Sequence, residues 1–178
     1  MAFDIACYGT SLTWLYYWQP KLIELLAAQG VRARAYNLGK SARDSSWGIA
    51  NVETVTRLRP RFALVEFSMN DCLYTLTAAE TNTIAILNAI KAVGSEIFLM
   101  TMNPTVGTGA TAVKRAALPT FYQSYRNLAA SQHVGLIDIA AVWATEYQAG
   151  DIPDGVHPTK AAQERVTAPT IASTLLAA

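Results

Sequence analysis

The feature of this sequence that most restricts its fold is the alternation of short apolar segments with longer amphipathic ones. Strands that are buried on both faces of a parallel sheet are short and almost continuously apolar. Four segments have this character: Phe3–Tyr8, Arg61–Phe67, Glu96–Met102 and Val134–Ile139. In a fifth segment, Val31–Leu38, apolar residues alternate with polar ones. That alternation predicts a strand at the edge of the sheet, with one face in water.

Amphipathic helices are predicted between these strands. Apolar residues recur at helical spacing in Leu22–Leu26, Ile49–Leu58, Ile84–Ile90, Leu118–Leu128 and Thr159–Leu176. The first of these helices is expected to stop at Gly30. The third is expected to begin with a capping box formed by Thr77 and Glu80. Pro169 interrupts the last segment and predicts a kink there.

The order of the elements is β-α repeated five times, which predicts an α/β fold. Right-handed connections between parallel strands produce a three-layer α/β/α sandwich, with helices on both faces of a five-stranded parallel sheet. With the second strand at an edge, the flavodoxin-like strand order 2-1-3-4-5 fits best. Residues 1–178 are expected to form a single domain, since domains commonly contain about 100–200 residues. Ligands of such sheets bind at the carboxyl ends of the strands, so functional residues are sought in the loops after each strand.

Composition argues against several classes of protein. The chain contains 14 Lys and Arg against 13 Asp and Glu, and 52% of its residues are hydrophobic while only 15% are charged. This balance argues against a nucleic-acid partner and against a disordered chain. Charged residues interrupt every apolar stretch before the roughly 20 residues of a membrane span, and no secretion signal precedes the first strand. We therefore expect a soluble protein that is cytoplasmic or exported by a non-classical route.

Neither a metal nor a cofactor is expected. The two cysteines, Cys7 and Cys72, are too few for a disulfide scaffold, and neither has a Cys or His at ligand spacing. Residues Gly107–Ala112 have the Gly-x-Gly-x-x-Ala spacing of a dinucleotide fingerprint, but they do not follow directly from a strand. We interpret them as part of the loop Asn103–Pro119, which is a candidate lid.

Residues suited to nucleophilic catalysis lie in the loops that follow the strands. Ser11 follows the first strand, Asn70 follows the third, and Asp154 and His157 follow the last. A serine nucleophile needs a base within hydrogen-bond reach, an acid that orients this base, and donors for the oxyanion. Asp154 lies three residues before His157, so a turn can direct its carboxylate at the imidazole Nδ1. The other histidine, His133, precedes a strand and is expected to be structural.

Four blocks of this sequence resemble, in the same order along the chain, those of the SGNH hydrolases, also called the GDSL esterase/lipase superfamily. They are Gly9-Thr10-Ser11-Leu12, Asn37-Leu38-Gly39, Ser68-Met69-Asn70-Asp71 and Asp154-Gly155-Val156-His157. The resemblance implies that Ser11 is the nucleophile and that Asp154 and His157 complete a catalytic triad. It also implies an oxyanion hole made of Gly39, Asn70 and the backbone N–H of Ser11. It covers the whole chain as one SGNH-hydrolase-like domain and implies no cofactor.

Two of these blocks depart from the family pattern. Where the family has Gly-Asp-Ser-Leu, this chain has Thr10 in place of an acid that is usually outside the triad. Where the family has Gly-x-Asn-Asp, this chain has Ser68 in place of the glycine. Ser68 is therefore a candidate substrate-binding residue, because its side chain would occupy space near the pocket.

Aromatic residues cluster around the first two blocks. The sequence places Trp14, Tyr16, Tyr17 and Trp18 after the candidate nucleophile and Trp47 after the second block. We expect the first four to lie on one helix, in which case at least two of them must pack against the sheet. Trp14 and Trp47 are candidates for substrate binding, since aromatic rings that face the site can stack on a sugar or line an acyl pocket.

Taken with the resemblance, the residues predict a serine esterase that works through an acyl-enzyme without a metal. Short-chain carboxylic esters are the expected substrates, either small molecules or carbohydrates, and O-acetyl groups on sugars are the leading candidates. Two alternatives remain open at this point. One is a non-catalytic carbohydrate-binding module on the same fold. The other is a lysophospholipase or thioesterase that prefers longer acyl chains.

Overall fold

Five parallel strands form one sheet in the computed structural model, which describes residues 2–178. The strands are β1 (Phe3–Gly9), β2 (Ala33–Asn37), β3 (Phe62–Glu66), β4 (Glu96–Thr101) and β5 (Gly135–Asp138). Their spatial order is β2-β1-β3-β4-β5, which confirms the predicted order. Each strand lies within two residues of its predicted bounds.

Helices follow every strand. They are α1 (Ser11–Trp14), α2 (Gln19–Ala28), α3 (Ser45–Ala50), α4 (Glu53–Leu58), α5 (Ser68–Asp71), α6 (Leu76–Lys91), α7 (Ala110–Val113), α8 (Leu118–Ser131), α9 (Ile139–Glu146), α10 (Lys160–Ala162) and α11 (Ala168–Ala177). A π-helical turn, Gln163–Thr167, joins the last two. Within residues 2–178, no helix has both the length and the apolar character needed to cross a bilayer.

The sheet separates two apolar cores, which confirms the three-layer prediction. Successive side chains of a strand point to opposite faces. Accordingly, Ile5 and Cys7 of β1 lie in one core, while Ala6 and Tyr8 lie in the other. All four side chains are fully buried, so the apolar run of β1 is explained by cover on both faces.

The sequence predicted the burial of one edge strand better than that of the other. β2 lies at an edge, as expected from its alternating pattern, and none of its residues is fully buried. β5 forms the other edge, and only Ile137 of its four residues is buried. The prediction that this last strand is buried on both faces was therefore wrong. Its position at an edge agrees with the predicted strand order, but an apolar run does not by itself show that both faces of a strand are fully covered.

Two predicted helix features are corrected by the structure. The capping box is wrong, because α6 begins at Leu76, and Glu80 instead accepts a hydrogen bond from the Ser124 hydroxyl at 2.6 Å. The break in the last helical segment is the π-helical turn that ends two residues before Pro169. Proline has no N–H to donate and its ring crowds the carbonyl of the preceding turn, and a π-turn adds one residue to make room.

The aromatic run after Ser11 does not form one helix. Helix α1 ends at Trp14, Tyr16 has a left-handed backbone with φ of 60°, and α2 begins at Gln19. Of the four aromatic side chains only Trp18 is buried, where its Nε1–H donates to the Leu12 carbonyl at 3.1 Å. The predicted helix over Ile49–Leu58 is likewise divided, into α3 and α4.

Candidate active site

Ser11 lies at the carboxyl end of β1, where the strand passes directly into α1. Thr10 caps this helix, since its side-chain oxygen accepts a hydrogen bond from the Leu12 N–H. The cap fixes the first turn of α1 and places Ser11 at its first position. The Ser11 side chain is mostly buried but reaches two adjoining cavities.

A chain of hydrogen bonds connects Ser11, His157 and Asp154. The Ser11 Oγ lies 2.9 Å from His157 Nε2, and His157 Nδ1 lies 2.6 Å from Asp154 Oδ2. The other carboxylate oxygen of Asp154 accepts the backbone N–H groups of Val156 at 2.9 Å and His157 at 2.7 Å. The turn Asp154–His157 therefore holds the carboxylate against the imidazole, as the three-residue spacing predicted.

The same contacts keep Asp154 ionised. Partial burial of this carboxyl would raise its pKa, but the hydrogen bonds from His157 and Val156 outweigh burial and hold the pKa below its ordinary value. An ionised Asp154 can only accept hydrogen bonds, so the ring proton of His157 belongs on Nδ1. Nε2 is then unprotonated and able to accept the Ser11 hydroxyl proton.

The Asn70 amide is fixed beside Ser11 by two residues. Its Nδ2 donates to the Arg43 carbonyl at 2.8 Å, and its Oδ1 accepts from Arg115 Nη2 at 3.0 Å. These contacts determine which side of the amide carries the nitrogen. An amide nitrogen has two N–H groups, so one of them remains available to the small cavity that Asn70 lines with Ser11 and His157.

The structure places Gly39 outside this cluster. Its N–H already donates to Asn37 Oδ1 at 3.1 Å, and Gly39 lines neither cavity at Ser11. A Cβ atom at Gly39 would lie 2.6 Å from the Trp14 nitrogen and 2.9 Å from Thr13 side-chain carbons, so the glycine permits the loop to pack against α1. The absence of a side chain at Gly39 therefore serves packing, and its N–H already has an acceptor in Asn37.

Ala42, three residues further along the same loop, lies where Gly39 was expected. It lines the small cavity with Ser11, Asn70 and His157. Its φ is 56°, in the left-handed region that glycine adopts more readily than alanine. Within residues 2–178 no atom accepts a hydrogen bond from the Ala42 N–H or from the Ser11 N–H. This role of Ala42 could not be predicted from the sequence, because an alanine does not mark a left-handed backbone.

Two cavities meet at Ser11 and His157. The larger, which we call the large arm, has a volume of about 740 Å³ and is lined by Trp14, Leu15, Tyr17, Pro153, Pro158 and Lys160, among others. The smaller, which we call the small arm, has a volume of about 170 Å³ and is lined by Ala42, Asp44, Asn70, Leu73, Tyr74 and Arg115. The candidate nucleophile therefore lies between a wide apolar cleft and a narrow polar one.

The three candidate substrate-binding residues have different positions. Trp14 is 50% exposed and lines the large arm. Trp47 packs in the core on the other face of the sheet from Leu12. Its ring centroid lies 5.8 Å from that of Tyr8 and 6.4 Å from that of Phe67, and it lines neither arm. Ser68 is fully buried at the start of α5 and also lines neither arm. Of the three, only Trp14 lines a cavity at Ser11.

The loop Asn103–Pro119, which follows β4, makes hydrogen bonds to two parts of the site. It is joined to the turn that carries His157, because the Val106 N–H donates to the Gly155 carbonyl at 2.9 Å and Asn103 Nδ2 donates to the Val156 carbonyl at 2.8 Å. Its Arg115 holds Asn70 in the small arm. Sequence reasoning missed Arg115, since a single arginine 45 positions from Asn70 carries no local signal.

The other histidine and the two cysteines line neither arm of the site. His133 lies between α8 and β5, near the amino end of the sheet and with φ of 51°. Cys7 and Cys72 are both buried free thiols. In the described chain, no group of three or more His, Cys, Asp or Glu side chains is arranged to hold a metal ion.

Comparisons with known proteins identify the family and the fold. A model of the GDSL-like lipase/acylhydrolase family matches residues 6–165. The structure of TesA superposes with a TM-score of 0.79 at 21% identity and 97% coverage of both chains. A catalytic mutant of Axe2, an acetylxylan esterase from Geobacillus stearothermophilus, gives a TM-score of 0.79 at 18% identity, covering 95% of this chain and 92% of its own. A GDSL-like lipase from Bacteroides thetaiotaomicron gives 0.76 at 15% identity, covering 98% and 88%.

No curated protein matches the sequence significantly. The solved structures, all less than 25% identical, establish the shared fold, whereas the family model spans most of the chain. The resemblance seen in the four sequence blocks is therefore confirmed. The chain belongs to the GDSL-like lipase/acylhydrolase family and is a carboxylic ester hydrolase.

Proposed function

We propose that this protein is a serine esterase in which Ser11 is the nucleophile, His157 the general base and Asp154 the residue that orients the base. The observation that carries the proposal is the unbroken chain of hydrogen bonds from Ser11 Oγ through both imidazole nitrogens to Asp154, with links of 2.9 and 2.6 Å. Nucleophile, base and orienting acid in this geometry are what acyl transfer through a serine requires.

The reaction begins when His157 Nε2 accepts the proton of the Ser11 hydroxyl as Oγ attacks the ester carbonyl carbon. The tetrahedral intermediate collapses, and His157 gives the proton to the departing alcohol oxygen, which leaves an acyl-enzyme. His157 then removes a proton from water, which attacks the acyl carbon. Collapse of the second intermediate returns the proton to Ser11 and releases the acid. Asp154 stays ionised throughout and stabilises the imidazolium.

Three donors are suited to the oxyanion of both intermediates. They are the backbone N–H of Ser11, the free N–H of Asn70 and the backbone N–H of Ala42, which we propose in place of Gly39. All three residues line the small arm, and the two backbone N–H groups have no partner within residues 2–178. Fixed donors that meet charge only in the transition state raise kcat more than they lower KM.

The unequal arms support a short-chain substrate. The small arm, less than a quarter of the volume of the large arm, is the place for the acyl group because it contains the oxyanion donors. The large arm would hold the alcohol, with Trp14 as an aromatic surface on which a sugar ring can stack. O-acetylated carbohydrates are therefore our leading substrates. The structural likeness to Axe2, an acetylxylan esterase, is consistent with this choice.

One alternative has a specific observation in its favour. The surface of the large arm is mostly apolar, so it would also accept an acyl chain if the substrate bound in the reverse direction, as in a lysophospholipase or thioesterase. The non-catalytic binding module is not retained, because the chain belongs to a family of hydrolases.

A panel of esters with increasing acyl length, including acetylated xylo-oligosaccharides, tests both parts of the proposal. We expect acetyl esters to give the highest kcat/KM and Ser11→Ala to abolish hydrolysis and labelling by a fluorophosphonate. Ser173→Ala, which changes an exposed serine on α11, is the matched control and should behave as wild type. Each buried methylene contributes about 0.8 kcal/mol, so a kcat/KM that rises up to eight carbons or more would favour the reverse orientation.

A further inference from the structure

A buried carboxylate lies directly beneath the loop that carries Ser11. Glu66 is the last residue of β3, and its side chain is 0% exposed. Its Oε1 accepts the Thr10 backbone N–H and the Thr13 hydroxyl, both at 2.7 Å. The Thr10 hydroxyl lies 3.0 Å from both carboxylate oxygens. These two threonines flank Ser11, one before it and one on the same turn of α1.

The chain makes room for this carboxylate at a cost. A Cβ atom at Gly9 would lie 2.3 Å from Glu66 Oε1, so only glycine admits the side chain. Burial raises the pKa of Glu66 to about 7, although the hydrogen bonds from Thr13 and Thr10 act in the opposite direction. A carboxyl buried at this position also loses hydration energy that an apolar side chain of similar volume would not lose. A carboxyl at this position therefore calls for an explanation other than stability.

The contacts of Glu66 determine the orientation of Ser11. Its bond to the Thr10 N–H fixes the backbone immediately before Ser11, and its bond to the Thr13 hydroxyl fixes the first turn of α1. Thr10 in turn caps this helix through Leu12. Together these bonds leave little freedom for the direction of the Ser11 side chain and of its backbone N–H. The side chain carries the attacking hydroxyl, and the N–H is the oxyanion donor proposed for the small arm.

We propose that Glu66 is a positioning residue, which acts through Thr10 and Thr13 to hold the Ser11 hydroxyl and N–H in the geometry that acyl transfer requires. This inference rests on the proposed function, because it assigns Glu66 a role relative to the nucleophile. It differs from a role in packing alone, since a packing residue would change stability and leave the turnover of folded enzyme unchanged.

Two substitutions separate the hydrogen bonds of Glu66 from its volume. Glu66→Gln keeps an acceptor for Thr10 and Thr13, so its kcat should remain within about threefold of wild type. Glu66→Met keeps a similar volume but removes both acceptors, and misplacement of the nucleophile should lower kcat roughly 10–100-fold. KM should change little, because neither variant alters the lining of the two arms. The rate of fluorophosphonate labelling of Ser11 should fall in parallel with kcat.

Thr13→Val tests the link itself. This nearly isosteric change removes the 2.7 Å bond to Glu66 and should lower kcat by about 3–10-fold. In the Glu66→Met background the same change should have no further effect, because residues that act through one contact are not additive. Ser95→Ala is the control: it removes a buried 2.6 Å bond to the Pro60 carbonyl at the amino end of the sheet, and it should lower the melting temperature without changing kcat.

The outcomes distinguish this inference from the proposed function. Wild-type kcat in folded Glu66→Met, or additive effects of Glu66→Met and Thr13→Val, would overturn the positioning role while leaving Ser11 as nucleophile. If Glu66→Met does not fold, Thr13→Val decides alone, and an unchanged kcat in that variant overturns the role. Activity that survives Ser11→Ala would instead overturn the proposed function.

Discussion

The two ends of the parallel sheet are built from opposite kinds of residue. Toward the amino end, the rings of Phe3, Phe62 and Phe98 pack edge to face, with centroids 5.2 and 5.9 Å apart. At the carboxyl end, the same strands lead into buried polar side chains such as Glu66 and Asn70. Apolar packing stabilises a fold, whereas buried polar groups lower stability unless they are fully paired. The difference indicates that one end was built for stability and the other for chemistry.

The largest expected effect is the loss of the base at the carboxyl end. His157→Ala should lower kcat/KM by at least about 10⁴-fold, because nucleophile and base act as a unit, and the melting temperature should change little. The chain supplies a matched control in His133→Ala near the amino end, which should keep wild-type kcat/KM. Equal losses in the two variants would contradict the assignment of His157. Steady-state kinetics together with thermal unfolding measure both effects.

The opposite pattern is expected for the aromatic packing at the amino end. Phe62 is fully buried between Phe3 and Phe98, so Phe62→Ala should lower the free energy of unfolding by about 3–5 kcal/mol. The kcat of the folded fraction should remain normal, since Phe62 lies at the amino end of β3 whereas Ser11 follows the carboxyl end of β1. Denaturant unfolding and active-site titration test this separation. A loss of kcat per active site would show that the two ends are not independent.

Asn70 lies between these extremes, because it is both buried and next to the nucleophile. Asn70→Ala should lower kcat by about 10²–10³-fold, which corresponds to roughly 2.7–4 kcal/mol, with KM little changed. The reason is that its free N–H meets charge that develops only in the transition state. If Asn70→Ala instead lowers the melting temperature and leaves kcat normal, the residue serves only to join Arg43 and Arg115.

The effect of the buried Glu66 carboxyl on the free energy of unfolding should depend on pH. The pKa of Glu66 rises from 4.5 to about 7 on folding, so the folded protein retains this proton to a higher pH than the unfolded chain does. The contribution to stability is fully present below pH 4.5 and is lost as pH rises to about 7, by up to about 3 kcal/mol. Glu66→Gln removes this titration. Its stability relative to wild type should therefore be greater at pH 8 than at pH 4.5, as measured by denaturant unfolding.

The sequence predicted the stable part of the molecule better than the chemical part. Apolar runs such as Phe3–Tyr8 predicted the strands, and the alternation in Val31–Leu38 predicted which strand lies at an edge. These predictions were possible because buried positions are occupied by apolar residues. The positions of Ser11, Asp154 and His157 followed from their places after strands. Ala42 and Arg115 did not, because a left-handed φ at an alanine and a contact over 45 positions have no local pattern. Neither did the burial of Ser68, which depends on where α5 packs.

The smallest expected effect concerns the backbone of the small arm, and it compares two alanines. Ala42 has a φ of 56°, whereas Ala50 is helical, at the end of α3. A left-handed alanine costs about 1–2 kcal/mol, which is offset in part because glycine loses about 0.5–1 kcal/mol more entropy on folding. Ala42→Gly should therefore leave stability unchanged or raise it by up to about 1.5 kcal/mol, while Ala50→Gly should lower it. Because Ala42→Gly keeps the N–H that we assign to the oxyanion, kcat should stay within about twofold of wild type. Equal destabilisation of the two variants would show that Ala42 is not strained, and a large fall in kcat would show that its methyl group, and not only its N–H, shapes the small arm.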